Sequence, residues 1–203
     1  MTTKYLDVMV DLETTGTEPG ASAIIQIAGV RFDYASGAIM PETFDRCLMV
    51  PPGRYFDEDT RNWWLKDKRH ILTSIMGRME RPRVVLEDFI TWCKVGVDPY
   101  NDTLRLWAKP SHFEFPFIES YCRQFELPNP FHYREVNDMN SWIRGRYWPQ
   151  TPPPFERSIP FEGDAHSALF DVFHQLKVLY AVKEHSQKHP SLAAAGDVVD
   201  VTN

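Results

Sequence analysis

The stretch VDLETTG, Val10 to Gly16, sets two carboxylates, Asp11 and Glu13, two positions apart at the end of an apolar run. The residues before it, KYLDVMV, are rich in β-branched and aromatic types and alternate in polarity, so Tyr5 to about Leu12 reads as a strand. Strand side chains alternate between faces, which groups Leu6, Val8, Val10 and Leu12 on one side and Asp7, Met9, Asp11 and Glu13 on the other. Both acids of the motif then face one way, with α-carbons about 7 Å apart. Ionised carboxylates about 5 Å apart repel by roughly 3 kcal/mol at an effective dielectric of about 20. A divalent cation that accepts hard oxygen ligands, Mg²⁺ or Mn²⁺, offsets that repulsion most simply. By itself the motif fits equally a solvated strand end whose acids start a turn at Thr14, Thr15 and Gly16, so partners elsewhere in the chain decide.

The 203 residues suit one domain, residues 1–188, followed by a disordered tail over 189–203. Hydrophobic content of 43% and charged content of 25% are ordinary for a soluble protein. No run approaches about 18 uninterrupted apolar residues, and MTTKYLDVMVDLE lacks the shape of a signal peptide, so a cytoplasmic protein with no membrane partner is expected. Cys47, Cys93 and Cys122 are too irregularly spaced for a disulfide framework or a zinc site and read as free thiols in or near the core. A net charge of −6 argues against a large basic surface that holds nucleic acid. It leaves room for phosphodiester chemistry, because bound metal ions bring positive charge to the point of contact.

Further strands are expected near Ile24–Asp33 and Ala38–Val50, joined at YASG, with a helical stretch after Asp57 and another helix over Val84–Lys94. TLRLWA reads as a buried strand and SHFEFPFIESYCRQF as a helix in which Pro116 is tolerated only in the first turn. A short strand near Tyr133–Val136 and a helix over Asp138–Arg144 precede a Pro-rich loop, residues 146–163. The last helix, about Ala165–Glu184, carries Leu169, Val172, Leu176 and Leu179 on a core-facing stripe. This order describes one α/β domain, a mixed sheet flanked by helices.

His166 and Asp171, in HSALFDVFHQL, are five residues apart. Five helical steps rotate about 140°, so the pair converges only if His166 lies on the loop or first turn while Asp171 lies on the helix proper. A D-x-E at the end of the first strand, an acid opening a helix after a buried strand (LWAKPSHFEF) and H-x-A-x-x-D on the last helix together resemble the DEDDh exonucleases of the DnaQ-like superfamily. The likeness is greatest to the phage and bacterial 3′-to-5′ exonucleases and exoribonucleases that also carry WW after the third strand, and it covers roughly Asp7 to Gln175.

The resemblance implies an RNase H-like fold and a two-metal phosphodiester hydrolase using Mg²⁺ or Mn²⁺ on single-stranded 3′ ends of DNA or RNA. By that likeness Asp11 bridges both ions, Glu13 and Asp171 hold one of them, and His166 takes the proton of the attacking water. Glu114 stands where the family has Asp, one methylene longer, and is the fourth candidate ligand. By the same likeness, the backbone and hydroxyls of Leu12, Thr14 and Thr15 are the expected contacts to the terminal nucleotide. NWWLK, Asn62 to Lys66, adds a stacking indole; neighbouring helical residues diverge by about 100°, so one of Trp63 and Trp64 reaches the site, and Trp64 is the candidate. Trp92, Trp107 and Trp142 are expected in the core or a subunit interface, since dimers are common among such enzymes. A silent nucleic-acid-binding module on this fold and a hydrolase of short oligonucleotides are the alternatives.

Overall fold

The computed structural model describes residues 4–189. Three strands open the chain as an antiparallel meander: β1 (Lys4–Thr14), β2 (Ile24–Phe32) and β3 (Ile39–Leu48). Then come α1 (Glu58–Asp67), α2 (Arg69–Met76), β4 (Met79–Glu80), α3 (Pro82–Cys93), β5 (Asp102–Ala108) and α4 (Ser111–Gln124). The chain continues through β6 (Val136–Asp138), α5 (Met139–Tyr147), the four-residue α6 (Phe155–Ser158) and α7 (Ala168–Lys188). The sheet order is β4-β3-β2-β1-β5-β6, with β5 parallel to both β1 and β6. This is the mixed sheet flanked by helices that the sequence implied.

A central strand is covered on both faces, and β1 is buried from Asp7 to its end. Val8, Val10 and Leu12 join Phe89 of α3 and Phe117, Ile118 and Tyr121 of α4 in one apolar cluster. Met9, on the other face, joins Met139 and Ile143 of α5 and Val172, Leu176 and Leu179 of α7. The α7 stripe is as expected apart from Leu169, which is only partly buried, and Gln175, a polar residue on the buried side. The three cysteines are free and buried. No helix among the described residues is long and apolar enough to cross a membrane.

Several expectations are corrected. Tyr133–Glu135 is a single 3-10 turn, and the strand begins only at Val136, where pairing with Leu106 starts. Pro116 is the sixth residue of α4, beyond its first turn. The amide it lacks would have met the carbonyl of His112, whose side chain is 82% exposed, so that end of the helix has water at hand. The Pro-rich loop contains α6. Of the expected tail only His189 is among the described residues; 190–203 lie outside them.

Asp7 heads the acidic row of β1 and is neutralised where it sits. Its carboxylate accepts from Arg105 Nε and Nη2 at 2.7 and 2.9 Å and from the Trp107 indole at 2.8 Å, and it is 2% exposed. Asp7→Ala leaves the guanidinium and indole without their partner and is expected to cost about 3–5 kcal/mol. In a chain of this size that lowers the thermal midpoint by roughly 10 °C, measured by denaturation at neutral pH, with cation affinity at the sheet edge unchanged in the folded fraction.

Candidate active site

The end of β1 and the ends of its parallel neighbours β5 and β6 form one edge of the sheet, the edge at which α/β folds open a crevice. Asp11 and Glu13 reach it from β1, 9% and 7% exposed. Asp171 reaches it from the first turn of α7, whose start is fixed to the sheet by Ala168 N–H donating to Gln26 Oε1 at 3.2 Å. One carboxylate oxygen from each of Asp11, Glu13 and Asp171 lies within 4.8 Å of the others. Among the described residues no lysine or arginine pairs directly with any of the three.

The electrostatic consequence is large. Burial first, then the charge of Asp171, pushes the Asp11 carboxyl well above its ordinary value. Burial, then Asp11 and Asp171, does the same to Glu13. Asp171 is also raised by burial, opposed by the His166 amide and by Lys109 and Lys68. Glu114, at the start of α4, is 3% exposed and is raised well above its usual range by burial and then by Asp11. Its Oε2 is buried without a hydrogen-bond partner. Three converging hard-oxygen ligands and an orphaned fourth fit a divalent cation and little else in the chain's own inventory.

His166 lies two residues before α7, so the sequence's condition for convergence is met. Its backbone is left-handed, with φ of 70°, and that turn lets its N–H donate to Asp171 Oδ2 at 2.8 Å. The imidazole packs edge-on against Trp63, ring centroids 4.9 Å apart. Although the residue is exposed overall, this local desolvation and then Lys68 hold the ring below its ordinary pKa, neutral at pH 7.

The expected substrate contacts fare unevenly. Trp64 is 1% exposed, packs with Ile25, Cys47 and Ile71, and donates its indole N–H to the Thr14 carbonyl at 3.2 Å. It is therefore closed to a base, and the helix phase turns Trp63 toward His166 instead. Thr15 is fully buried; its hydroxyl donates to the Tyr55 carbonyl at 2.7 Å and accepts from Ala23 N at 2.7 Å, so it too has nothing to offer a ligand. Leu12 points into the opposite core. Thr14 gives its hydroxyl proton to the Gly16 carbonyl at 2.8 Å and keeps its lone pairs.

Residues not anticipated also meet here. Gln175 Nε2 donates to Asp11 Oδ1 at 2.8 Å. It is four residues after Asp171, hence on the same helix face, and that spacing was the available signal. Three acids of the Pro-rich loop and its exit are engaged by basic groups: Glu156 with Lys109 at 2.7 Å, Glu162 with Lys177 at 2.6 Å and Asp164 with His70 at 3.6 Å; of these bases Lys109 acts on the Asp11 and Asp171 carboxylates.

Residues 6–183 match the 3'-5' exoribonuclease Rv2179c-like domain. The chain belongs to that family. No curated protein sequence matches it. Among solved structures, exonuclease I of E. coli in complex with a dT13 oligonucleotide is 15% identical, with a TM-score of 0.68 over 91% of this chain and 42% of that one. Exonuclease I of Methylocaldum szegediense is 16% identical, TM-score 0.67, over 93% of this chain and 42% of that one. The nuclease domain of 3'hExo, a DEDDh family member bound to rAMP, is 16% identical, TM-score 0.59, over 90% of this chain and 92% of that domain. At these identities the likeness establishes the RNase H-like exonuclease fold; this family member spans less than half the length of the exonuclease I structures.

Because Asp11, Glu13 and Glu114 have raised carboxyls, these three sites hold more protons in the metal-free native state than in the unfolded chain above about pH 4, and their contribution to stability falls as pH rises through that window. Asp11→Asn removes one buried charge while keeping an acceptor for Gln175. It is expected to stabilise the metal-free protein by about 1 kcal/mol at pH 7.5, roughly 2–4 °C in thermal midpoint. The gain should shrink at pH 5, as scanning calorimetry at the two pH values will show.

Proposed function

We propose that this chain is a metal-dependent 3′-to-5′ exonuclease acting on single-stranded ends, with RNA as its principal substrate, and that it releases nucleoside 5′-monophosphates. The observation that carries the proposal is the convergence of Asp11, Glu13 and the partly buried Asp171 at the end of the central strand. Family membership supports the reaction class, and the family's description supports RNA.

Asp11, Glu13 and Asp171 would hold Mg²⁺ or Mn²⁺, with Glu114 as a further candidate oxygen ligand. When bound, such ions stabilise the attacking and leaving oxygens of phosphodiester hydrolysis. The chain's own work is positioning and proton transfer. The His166 amide fixes the Asp171 carboxylate, and the neutral His166 imidazole accepts the proton of the attacking water as its oxygen bonds to phosphorus. The 3′-oxygen of the penultimate nucleotide leaves and takes up a proton, and the shortened strand regains a 3′-hydroxyl. Trp63, beside His166, offers an indole face to the terminal base. Glu114 stands where the resemblance has a shorter acid, its arm about 1.5 Å longer; the residue is 3% exposed and close enough to Asp11 to feel its charge.

A panel of 5′-labelled single- and double-stranded RNA and DNA with Mg²⁺, Mn²⁺ or chelator tests this directly. Single-stranded RNA should shorten from its 3′ end in either metal and persist in chelator; persistence of every strand in both metals overturns the proposal. Glu114→Gln should lose about 100-fold, some 2.7 kcal/mol of transition-state stabilisation, and Glu114→Asp no more than about tenfold.

The lowered imidazole pKa gives a signed pH prediction. The wild-type rate should hold through neutrality and fall only as pH drops below the ordinary imidazole value of about 6.5. His166→Ala should cost about 100-fold or more and flatten that acid limb, which initial rates from pH 5.5 to 8 will resolve.

A further inference from the structure

Gln175 is 6% exposed, and its two amide ends are treated differently by the fold. Nε2 donates to Asp11 Oδ1 at 2.8 Å, whereas Oε1 is buried with no partner in the protein. A buried amide oxygen left without a donor costs about 1–3 kcal/mol. Turning the amide over would not relieve it, because the oxygen would then face a carboxylate oxygen. Glu114 Oε2, the other orphaned oxygen beside Asp11, is buried in the same condition. Two unsatisfied acceptors flank the one carboxylate that α7 and α4 both approach.

We propose that Gln175 is a positioning residue for the metal centre: its amide N–H fixes the rotamer of Asp11, and its carbonyl is an acceptor reserved for water carried by the bound cation. The inference rests on the proposed hydrolytic site and deepens it. Asp171 and Gln175 are one helical turn apart, so the docking of α7 sets both a ligand and the clamp on its neighbour. With Oδ1 held by the amide, Asp11 is directed to present its remaining lone pairs toward Glu13 and Asp171. Partners of this kind around a metal site alter affinity or activity by about 10–100-fold when removed. A helix face chosen only for packing would carry an apolar residue here, as it does at Val172, Leu176 and Leu179.

Two variants separate the roles. Gln175→Met keeps length and volume and removes both polar ends; Gln175→Asn keeps an amide that falls about one methylene short of Asp11. Mn²⁺ affinity of the purified full chain, by isothermal titration calorimetry, is expected to fall at least tenfold in both, while the metal-free thermal midpoint of Gln175→Met stays within a few degrees of wild type or rises. On labelled RNA, kcat should fall with KM changed by less than about threefold. Wild-type Mn²⁺ affinity in either folded variant overturns the inference, as does a loss of stability with affinity intact. A wild-type protein that binds Mn²⁺ yet cleaves no strand defeats the proposed activity alone, since the affinity comparison still decides the role of Gln175.

Discussion

Three carboxylates, two of them buried and Asp171 partly so, lie closer together than their charges tolerate, and the architecture at this edge of the sheet follows from forcing them there. The opposing energies can be compared. One pair repels by roughly 3 kcal/mol at an effective dielectric of about 20. Burying Val172, Leu176, Leu179 and Val182 of α7 contributes about 1.5–3 kcal/mol each, as an upper estimate. Packing therefore wins, and it wins because β1 is central: Val8, Val10 and Leu12 lock one face and Met9 the other, so the strand cannot rotate its acids into water. Stability is provided by the apolar layers and is partly given up at the strand's end, where the proposed cation would restore it.

What the sequence made legible was whatever depends on a short repeat. A period of two placed Asp11 and Glu13 on one face, and the 140° mismatch between His166 and Asp171 required the histidine to leave the helix, as it does. The side chains that turned away did so for tertiary reasons. Trp63 and Trp64 are equivalent in any local reading; only the cavity left by Ile25 and Cys47 of the neighbouring strands decides that Trp64 fills the core. Thr15 looks available beside an acidic motif, yet two loops cross over it and consume its hydroxyl in both directions. Gln175 was overlooked because an isolated glutamine in a helix is usually a surface residue, although its four-residue step from Asp171 was visible.

The placement of Glu114 is set by the anchoring of its helix. The helix that carries it begins directly after β5, and its first turn is anchored by the Ser111 N–H donating to Asp138 Oδ2 at 2.9 Å. Asp138 is also the N-cap of α5, accepting from Ser141 N at 2.7 Å. One carboxylate thus joins the starts of two helices, and the position of the Glu114 arm is determined outside the carboxylate cluster.

The ion pairs of the Pro-rich loop bear on how the proposed affinity for a nucleic-acid strand should be interpreted. The slope of log affinity against log salt is ordinarily taken as a count of phosphates neutralised by lysine and arginine. Here Lys109 and Lys177 already carry counterions of the chain's own making, Glu156 and Glu162. A strand that takes either lysine displaces a carboxylate rather than a condensed salt cation, so the contact adds affinity without adding its full share to the slope. Salt at the same time loosens the loop acids from their partners, freeing the lysines as it screens them. For the proposed single-stranded substrate, a shallow salt slope would therefore undercount the phosphates contacted.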